Sequence, residues 1–532
     1  MLGVIDPDLP YSSRRQPVMG DNAVATSQPL ATAAGLAMLH KGGTAIDAAV
    51  AAAMVLTVVE PTGCGIGSDA YAIVWDGKEL HGLNASGRSP AAWTPERFSG
   101  GTTMPQRGWE AVTVPGAVSA WIALWRRFGT LPLSEIASPA IRYATEGFHV
   151  SPTIARLWGM TGPELSVQPG FADCFMAGGR APRAGERITL PDHGATLRLI
   201  AETEGEAFYR GELAERIAAD AAAHGAALTL DDLAAQEPDW VGTISTAFGD
   251  YRVHEIPPNG QGISALLALG MLDRHDWRSG GPDATGVTHL SIEAVKLALA
   301  DAAEHVADAS FMRVTPEALL DPAYLDRRAR LIDPAAAGDP KAGQPGPGGT
   351  VYLSAADAEG RMVSFIQSNF MGFGSGVVVP GTGISLQNRG AGFSLQPGHV
   401  NEVGPSKKPF QTIIPGFATG AQGQPEMSFG VMGGPMQAQG HLQMALRILG
   451  HGQNPQAAAD APRWRVNGGR KVAVEPGFDP EVVAALQAMG HEIDVEPPEA
   501  VFGFGGAQII RRLGEGYVAG SDPRKDGCAM AF

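Results

Sequence analysis

The chain has 532 residues, and its 70 glycines and 40 prolines make about a fifth of it, well above ordinary usage. A 44% apolar fraction excludes a disordered Gly/Pro polymer, and the lack of a G-X-Y period excludes collagen. The balance of 39 Lys and Arg against 55 Asp and Glu, net −16, argues against a nucleic-acid backbone or an anionic membrane surface as partner.

Residues 1–22 read as a polar, loosely ordered lead-in. Acid and proline stand where a signal peptide needs an apolar core, so the expected location is cytoplasmic. Two Ala-rich helices are predicted within 29–59, split by Gly42-Gly43-Thr44, with Thr44 capping the second and Asp47 three residues on. The second carries Asp47 and is too short for a membrane span. A glycine loop follows at 61–69, then a hairpin in which Ala70–Trp75 alternates, Asp76-Gly77 turns and Lys78–Leu83 returns.

Gly65-Ile-Gly67-Ser-Asp-Ala70 matches a dinucleotide fingerprint, but a helix precedes it and a strand follows, the reverse of what that motif requires. No nicotinamide, flavin or other cofactor is expected. Helices are predicted within 115–147, over most of 194–237, and at 260–274, 286–307 and 316–331, with a strand at 251–258. His289 and Glu293 share a helix face, but a lone pair lacks the further ligands of a metal site, and a packed or surface role is expected. The three cysteines, Cys64, Cys174 and Cys528, show no paired spacing, which argues against a disulfide framework or a zinc knuckle.

A Pro/Gly-rich stretch at 333–349 can bury little and is expected to be an exposed, mobile linker. Thr350 stands directly after it, at the start of a second hairpin, 350–357 and 361–368. A threonine hydroxyl is a weak nucleophile and needs a base. If the Gly349–Thr350 bond is cut, the new α-amine, with an ordinary pKa of about 7.7 to 8.0, stands beside the hydroxyl and can take its proton. Glycine-rich loops follow at 372–383 and 430–434, and helices at 437–449 and 480–490. Helix-rich and strand-rich stretches are mixed, which indicates an α+β layered fold.

Long stretches along 22–530 resemble the γ-glutamyltranspeptidase family of N-terminal-nucleophile hydrolases. They include GGTAIDAAVAAAMVLTVVEP (42–61), VPGAVSAWIALWRRFGTLP (114–132), IPPNGQG (256–262), TVYLSAADAEGRMVS (350–364), GPSKKPF (404–410) and GVMGGPMQAQ (430–439). The resemblance implies a four-layer αββα sandwich, made as one precursor that cuts itself between Gly349 and Thr350. Residues 1–349 would form the large subunit and 350–532 the small one, intertwined in a single structural domain. It makes Thr350 the nucleophile, Ser368 the hydroxyl that contacts it, and Gly433 and Gly434 the oxyanion donors. A dimer of processed heterodimers stays open.

The departures from the family carry the substrate argument. Where the resemblance places an Asn, a Gln and an Asp around a substrate α-amine, this chain has Phe370, Arg389 and Gly392. An ammonium left unpaired in a closed pocket is costly, and Arg389 would repel it. The family's carboxylate-binding Arg becomes Ser86, with Arg88 displaced by two, and its paired serines become Gln411 and Thr412. Arg88 and Arg389 are the candidate carboxylate clamps, because a guanidinium binds a carboxylate bidentately. The pattern NRGAGFS at 388–394 is similar to the subgroup containing cephalosporin (glutaryl) acylases and oxamate amidohydrolase.

The expected activity is cleavage of a small-molecule amide whose acyl group is acidic and lacks an α-amine, through an acyl-threonine. The alternatives are γ-glutamyl transfer or hydrolysis on glutathione-like substrates, and a non-catalytic binding protein that keeps the scaffold.

Overall fold

The computed structural model describes residues 14–340, 349–497 and 503–532. Residues 1–13 of the predicted lead-in and 341–348 of the predicted linker lie outside the described residues.

Two seven-stranded sheets form the centre. The first runs in the spatial order Cys528–Ala531, Ala23–Thr26, Gly349–Ala356, Met362–Phe370, Asp69–Trp75, Leu80–Ala85, Asp239–Trp240. Both predicted hairpins are in it, joined side by side through Met362–Phe370 and Asp69–Trp75. The second runs Val18–Gly20, Tyr517–Ser521, Gly506–Arg512, Pro425–Met432, Gly416–Gly420, Tyr251–Glu255, Ile244–Phe248.

Strand alternation divides the side chains among three cores. Val351, Leu353, Ala355, Val363 and Phe365 face a helical layer that includes Ala45–Val59 and Ala117–Phe128. Tyr352, Ala356, Met362 and Ile366 point the other way and meet Phe417, Met432 and Ile510 of the second sheet. The far face of that sheet, through Val253, Met427, Phe429 and Ile509, packs on helices Gly262–Leu272, Thr285–His305 and Met436–Ala445. Thr350 and Ser368 share the parity of Tyr352 and Ile366.

The helix at Ala45–Val59 begins as its sequence dictates, with Thr44 and Asp47 forming a reciprocal capping box. Two readings need correction. Residues 18–20 of the lead-in are a strand that pairs with 517–519, not loose chain. The first part of the linker is packed: Ala337 is buried and its N–H donates to Met489 O. Among the described residues no helix is long and apolar enough to cross a membrane.

Candidate active site

The ladder that starts at Ala356↔Met362 and runs to Val351↔Gln367 sets Thr350 opposite Ser368. One step further the register slips, and Gly349 pairs with Phe370 instead of Asn369. The irregularity lies between Gly349 and Val351, the step that contains Thr350. Thr350 Oγ1 and Ser368 Oγ are 3.0 Å apart, and both residues are fully buried. Phe370 N–H donates to Ser368 Oγ at 2.7 Å, which fixes that hydroxyl. Asn369 turns to the other face, where it accepts from Ser68 Oγ and donates to Ser385 Oγ.

The second sheet delivers the glycine pair. Gly433 and Gly434 have φ of 132° and 60°, conformations open to glycine, at the turn from strand Pro425–Met432 into helix Met436–Ala445. Gln261 Nε2 donates to Gly434 O (2.9 Å) and Thr412 O (2.6 Å), tying this turn to the 411–412 segment. Gln437, one residue into the helix, donates its Nε2 to Thr350 Oγ1 at 3.5 Å. The sequence reading misses Gln437 as a site residue, although it lies inside GVMGGPMQAQ; its nearness to the glycine pair is the available signal.

Arg389 is buried, donates Nη1 to Thr412 Oγ1 at 2.8 Å and stacks over the Phe370 ring, 4.7 Å from its centroid. Its Nε and Nη2 have no hydrogen-bond partner among the described residues. Burial lowers the guanidinium pKa to about 10, although Asp69 opposes the shift. Asp69 is a second residue the sequence reading misses. Burial pushes its carboxyl up to about 7, against the pull of Arg389 and the N–H groups of Gly87 and Gly116. Gln411 Nε2 donates to Asp69 Oδ2 at 3.0 Å, so Gln411 is already engaged.

A cavity of about 560 Å³ adjoins the site, lined by Phe370, Met371, Gly392, Phe393, Phe410 and Thr412, with Gln261, Ser264 and Leu299 among its other walls. Phe370 and Thr412 therefore touch both Arg389 and the cavity. Phe370 holds a left-handed φ of 78°, unusual for an aromatic residue. Arg88 is not brought to this cavity. Its half-exposed guanidinium holds Asp308 Oδ2 at 3.0 Å and Ser406 O at 3.2 Å.

Among the described residues two groups have metal-ligand spacing, one of them Asp76, Glu79 and His81 at a hairpin turn and the other buried. His289, Glu293 and His491 place their ligand atoms within 4.8 Å of one another. A lysine ammonium competes for the same lone pairs: Lys296 Nζ donates to Glu293 Oε1 at 2.8 Å and lies 3.4 Å from His491 Nδ1. His289 Nε2 meets Asp333 O and its Nδ1 meets His491 Nε2, both at 2.8 Å, so the cluster reads as a hydrogen-bonded chain binding the linker to its helix.

The two sheets thus bring a buried threonine–serine pair and a glycine turn together, linked through Gln437. The family profile described as Gamma-glutamyltranspeptidase matches residues 31–532, and the chain belongs to that family. It is 36% identical over 518 residues to the Glutathione hydrolase-like YwrD proenzyme of Bacillus subtilis, covering 96% of this chain and 98% of that one. It is also 36% identical over 519 residues to the Oxamate amidohydrolase proenzyme of Klebsiella pneumoniae, covering 94% and 97%. Among solved structures, cephalosporin acylase from Bacillus halodurans superposes with a TM-score of 0.95 at 47% identity, covering 100% of this chain and 99% of that one.

Proposed function

We propose that this chain is a self-processing amidohydrolase, cut between Gly349 and Thr350 into subunits 1–349 and 350–532, with the four-layer αββα architecture of N-terminal-nucleophile hydrolases. The helix, sheet, sheet, helix order of the three cores supports the architecture. Proenzyme relatives support the processing.

In this reading Thr350 Oγ attacks the amide carbonyl while its α-amine takes the hydroxyl proton and passes it to the leaving amine. The N–H groups of Gly433 and Gly434 hold the oxyanion. Water then attacks the acyl-threonine and restores the hydroxyl. Ser368 orients Thr350 throughout.

The observation that carries the substrate class is Arg389, a buried cation whose Nε and Nη2 are unpaired among the described residues, lying directly behind Phe370 and Thr412 of the cavity wall. It calls for a substrate carboxylate, and it disfavours an α-ammonium. Asp69, the nearby acid, is committed to Gln411 and two backbone N–H groups. The acyl group is thus a dicarboxylic half-amide without the α-amine, such as glutaryl.

Purified protein assayed on glutaryl-p-nitroanilide and γ-glutamyl-p-nitroanilide tests this directly. Faster turnover of the glutaryl compound is expected; faster turnover of the γ-glutamyl compound favours the transpeptidase reading instead.

A further inference from the structure

We propose that Gln437 is a further catalytic residue, a fixed amide donor to the oxygen of the nucleophile. The inference rests on Thr350 being that nucleophile.

Its orientation follows from its partners. Ile414 N–H donates to Gln437 Oε1 at 3.0 Å, so the carbonyl end of the amide must face Ile414. The NH2 end is then the end that faces Thr350 Oγ1, at 3.5 Å. A flipped amide would set two N–H donors against each other at Ile414, and burial leaves no solvent to relieve the clash. Gln437 is itself fully buried, so its amide does not exchange this contact for water.

The supporting helix is also held. His441, one turn on from Gln437 along the same face, meets Glu255 through Nδ1···Oε1 at 2.6 Å, with both side chains fully buried. Glu255 ends the strand that leads into the loop carrying Gln261, which holds Gly434 O. The Gln437 amide and the glycine turn are therefore braced against one frame. Donors placed in advance cost no reorganisation at the moment of reaction.

The chemistry needs such a donor twice. As Oγ attacks, its proton leaves for the α-amine and negative charge rises on Oγ before the new C–O bond takes it up. In deacylation Oγ is the leaving group, and charge rises on it again until the amine returns a proton. Gln437 keeps both its protons and supplies one N–H···O contact in each case, beside the contact with Ser368. The same donor serves the first attack, in which Oγ bonds to the Gly349 carbonyl carbon, the C–N bond to Thr350 breaks, the hydroxyl proton passes to the departing nitrogen as it becomes the free amine, and water opens the ester to a Gly349 carboxylate and the Thr350 hydroxyl.

The test uses Gln437→Met, which removes the donor without adding charge, and Gln437→Glu, which keeps the shape but presents an acceptor. Two readouts are followed: the fraction of precursor cut with time on a denaturing gel, and kcat and KM on glutaryl-p-nitroanilide. In protein with a wild-type melting temperature, kcat and the cutting rate should fall by about tenfold to a hundredfold with KM within twofold. Gln437→Met that folds and keeps both rates overturns the proposal, as does a raised KM at unchanged kcat, the mark of a packing role. If the buried carboxylate prevents Gln437→Glu from folding, Gln437→Met decides alone. Thr350→Ala run in parallel separates the two failures, since turnover in that variant removes the nucleophile reading itself.

Discussion

Thr350 and Ser368 face each other across the centre of the first sheet, their hydroxyl oxygens 3.0 Å apart, with the ladder slipping one step beyond them at Gly349. Ser368 is held by the Phe370 N–H, so its oxygen is a fixed point against which the Thr350 rotamer is set. Thr350→Ala should leave one full-length band on a denaturing gel and no amidase activity. Ser368→Ala should fold, cut slowly and turn over about tenfold to a hundredfold more slowly, the loss expected from one buried hydrogen bond to a reacting oxygen. Progress curves for cutting and kcat check both; normal cutting in Ser368→Ala would remove its orienting role.

The contact between Thr350 and Ser368 is implied by the family resemblance, and the hairpin that carries both is legible because alternation and a short turn are local signals. The capping box at Thr44 is legible for the same reason, three residues apart on one helix. Long-range partners are not. Arg88 is drawn to Asp308, 220 residues away, and a displaced family position gives no sign of that. Val18–Gly20 becomes a strand because Tyr517–Ser521 stands ready to pair with it, and three residues carry no pattern of their own. Asp69 sits in a strand that reads by its apolar neighbours, and its link to Gln411 joins segments 342 residues apart.

The Arg389 assignment predicts a selective loss. Arg389→Met fills similar space without charge or donors. It should lower kcat/KM for glutaryl-p-nitroanilide by about tenfold to a hundredfold, the range for a charge-assisted hydrogen bond. Turnover of butyryl-p-nitroanilide, which lacks the carboxylate, should stay within a fewfold of wild type. An equal loss on both substrates would make Arg389 a structural cation that supports Thr412.

The contribution of Asp69 and Glu60 to stability should fall as pH rises from mildly acid to neutral. Burial pushes both Asp69 and Glu60 up to about 7, in spite of Arg389 near the first and Lys525 near the second. In the unfolded chain such groups release their protons near about 4, so the folded state binds more protons across the window from about 4 to about 7. The favourable contribution is therefore present at the acid side of that window and is lost toward pH 7. Burial lowers the pKa of His193 and His254 to about 4, which acts in the opposite direction, so the readout is the difference between variants: the melting temperature of Glu60→Gln should gain on that of the wild type as pH rises across the window. A slope unchanged by that substitution would mean that Glu60 is not held protonated.

Phe370 combines three features that point to a cover over Arg389. Its ring lies on the guanidinium, it lines the cavity, and its backbone sits at a φ of 78°, where a side chain other than glycine is strained. It also pairs with Gly349, the residue on the far side of the proposed cut. Removing the ring should open Arg389 to the cavity. Phe370→Ala is expected to lower KM for glutaryl-p-nitroanilide severalfold while leaving the butyryl compound unchanged. The gain should vanish in the Phe370→Ala, Arg389→Met double variant, because the two residues are in contact and their effects should not add. A KM that falls equally for both substrates would show that the ring merely narrows the cavity. A KM that rises for the glutaryl compound would show that the stacked ring holds the guanidinium in its binding position.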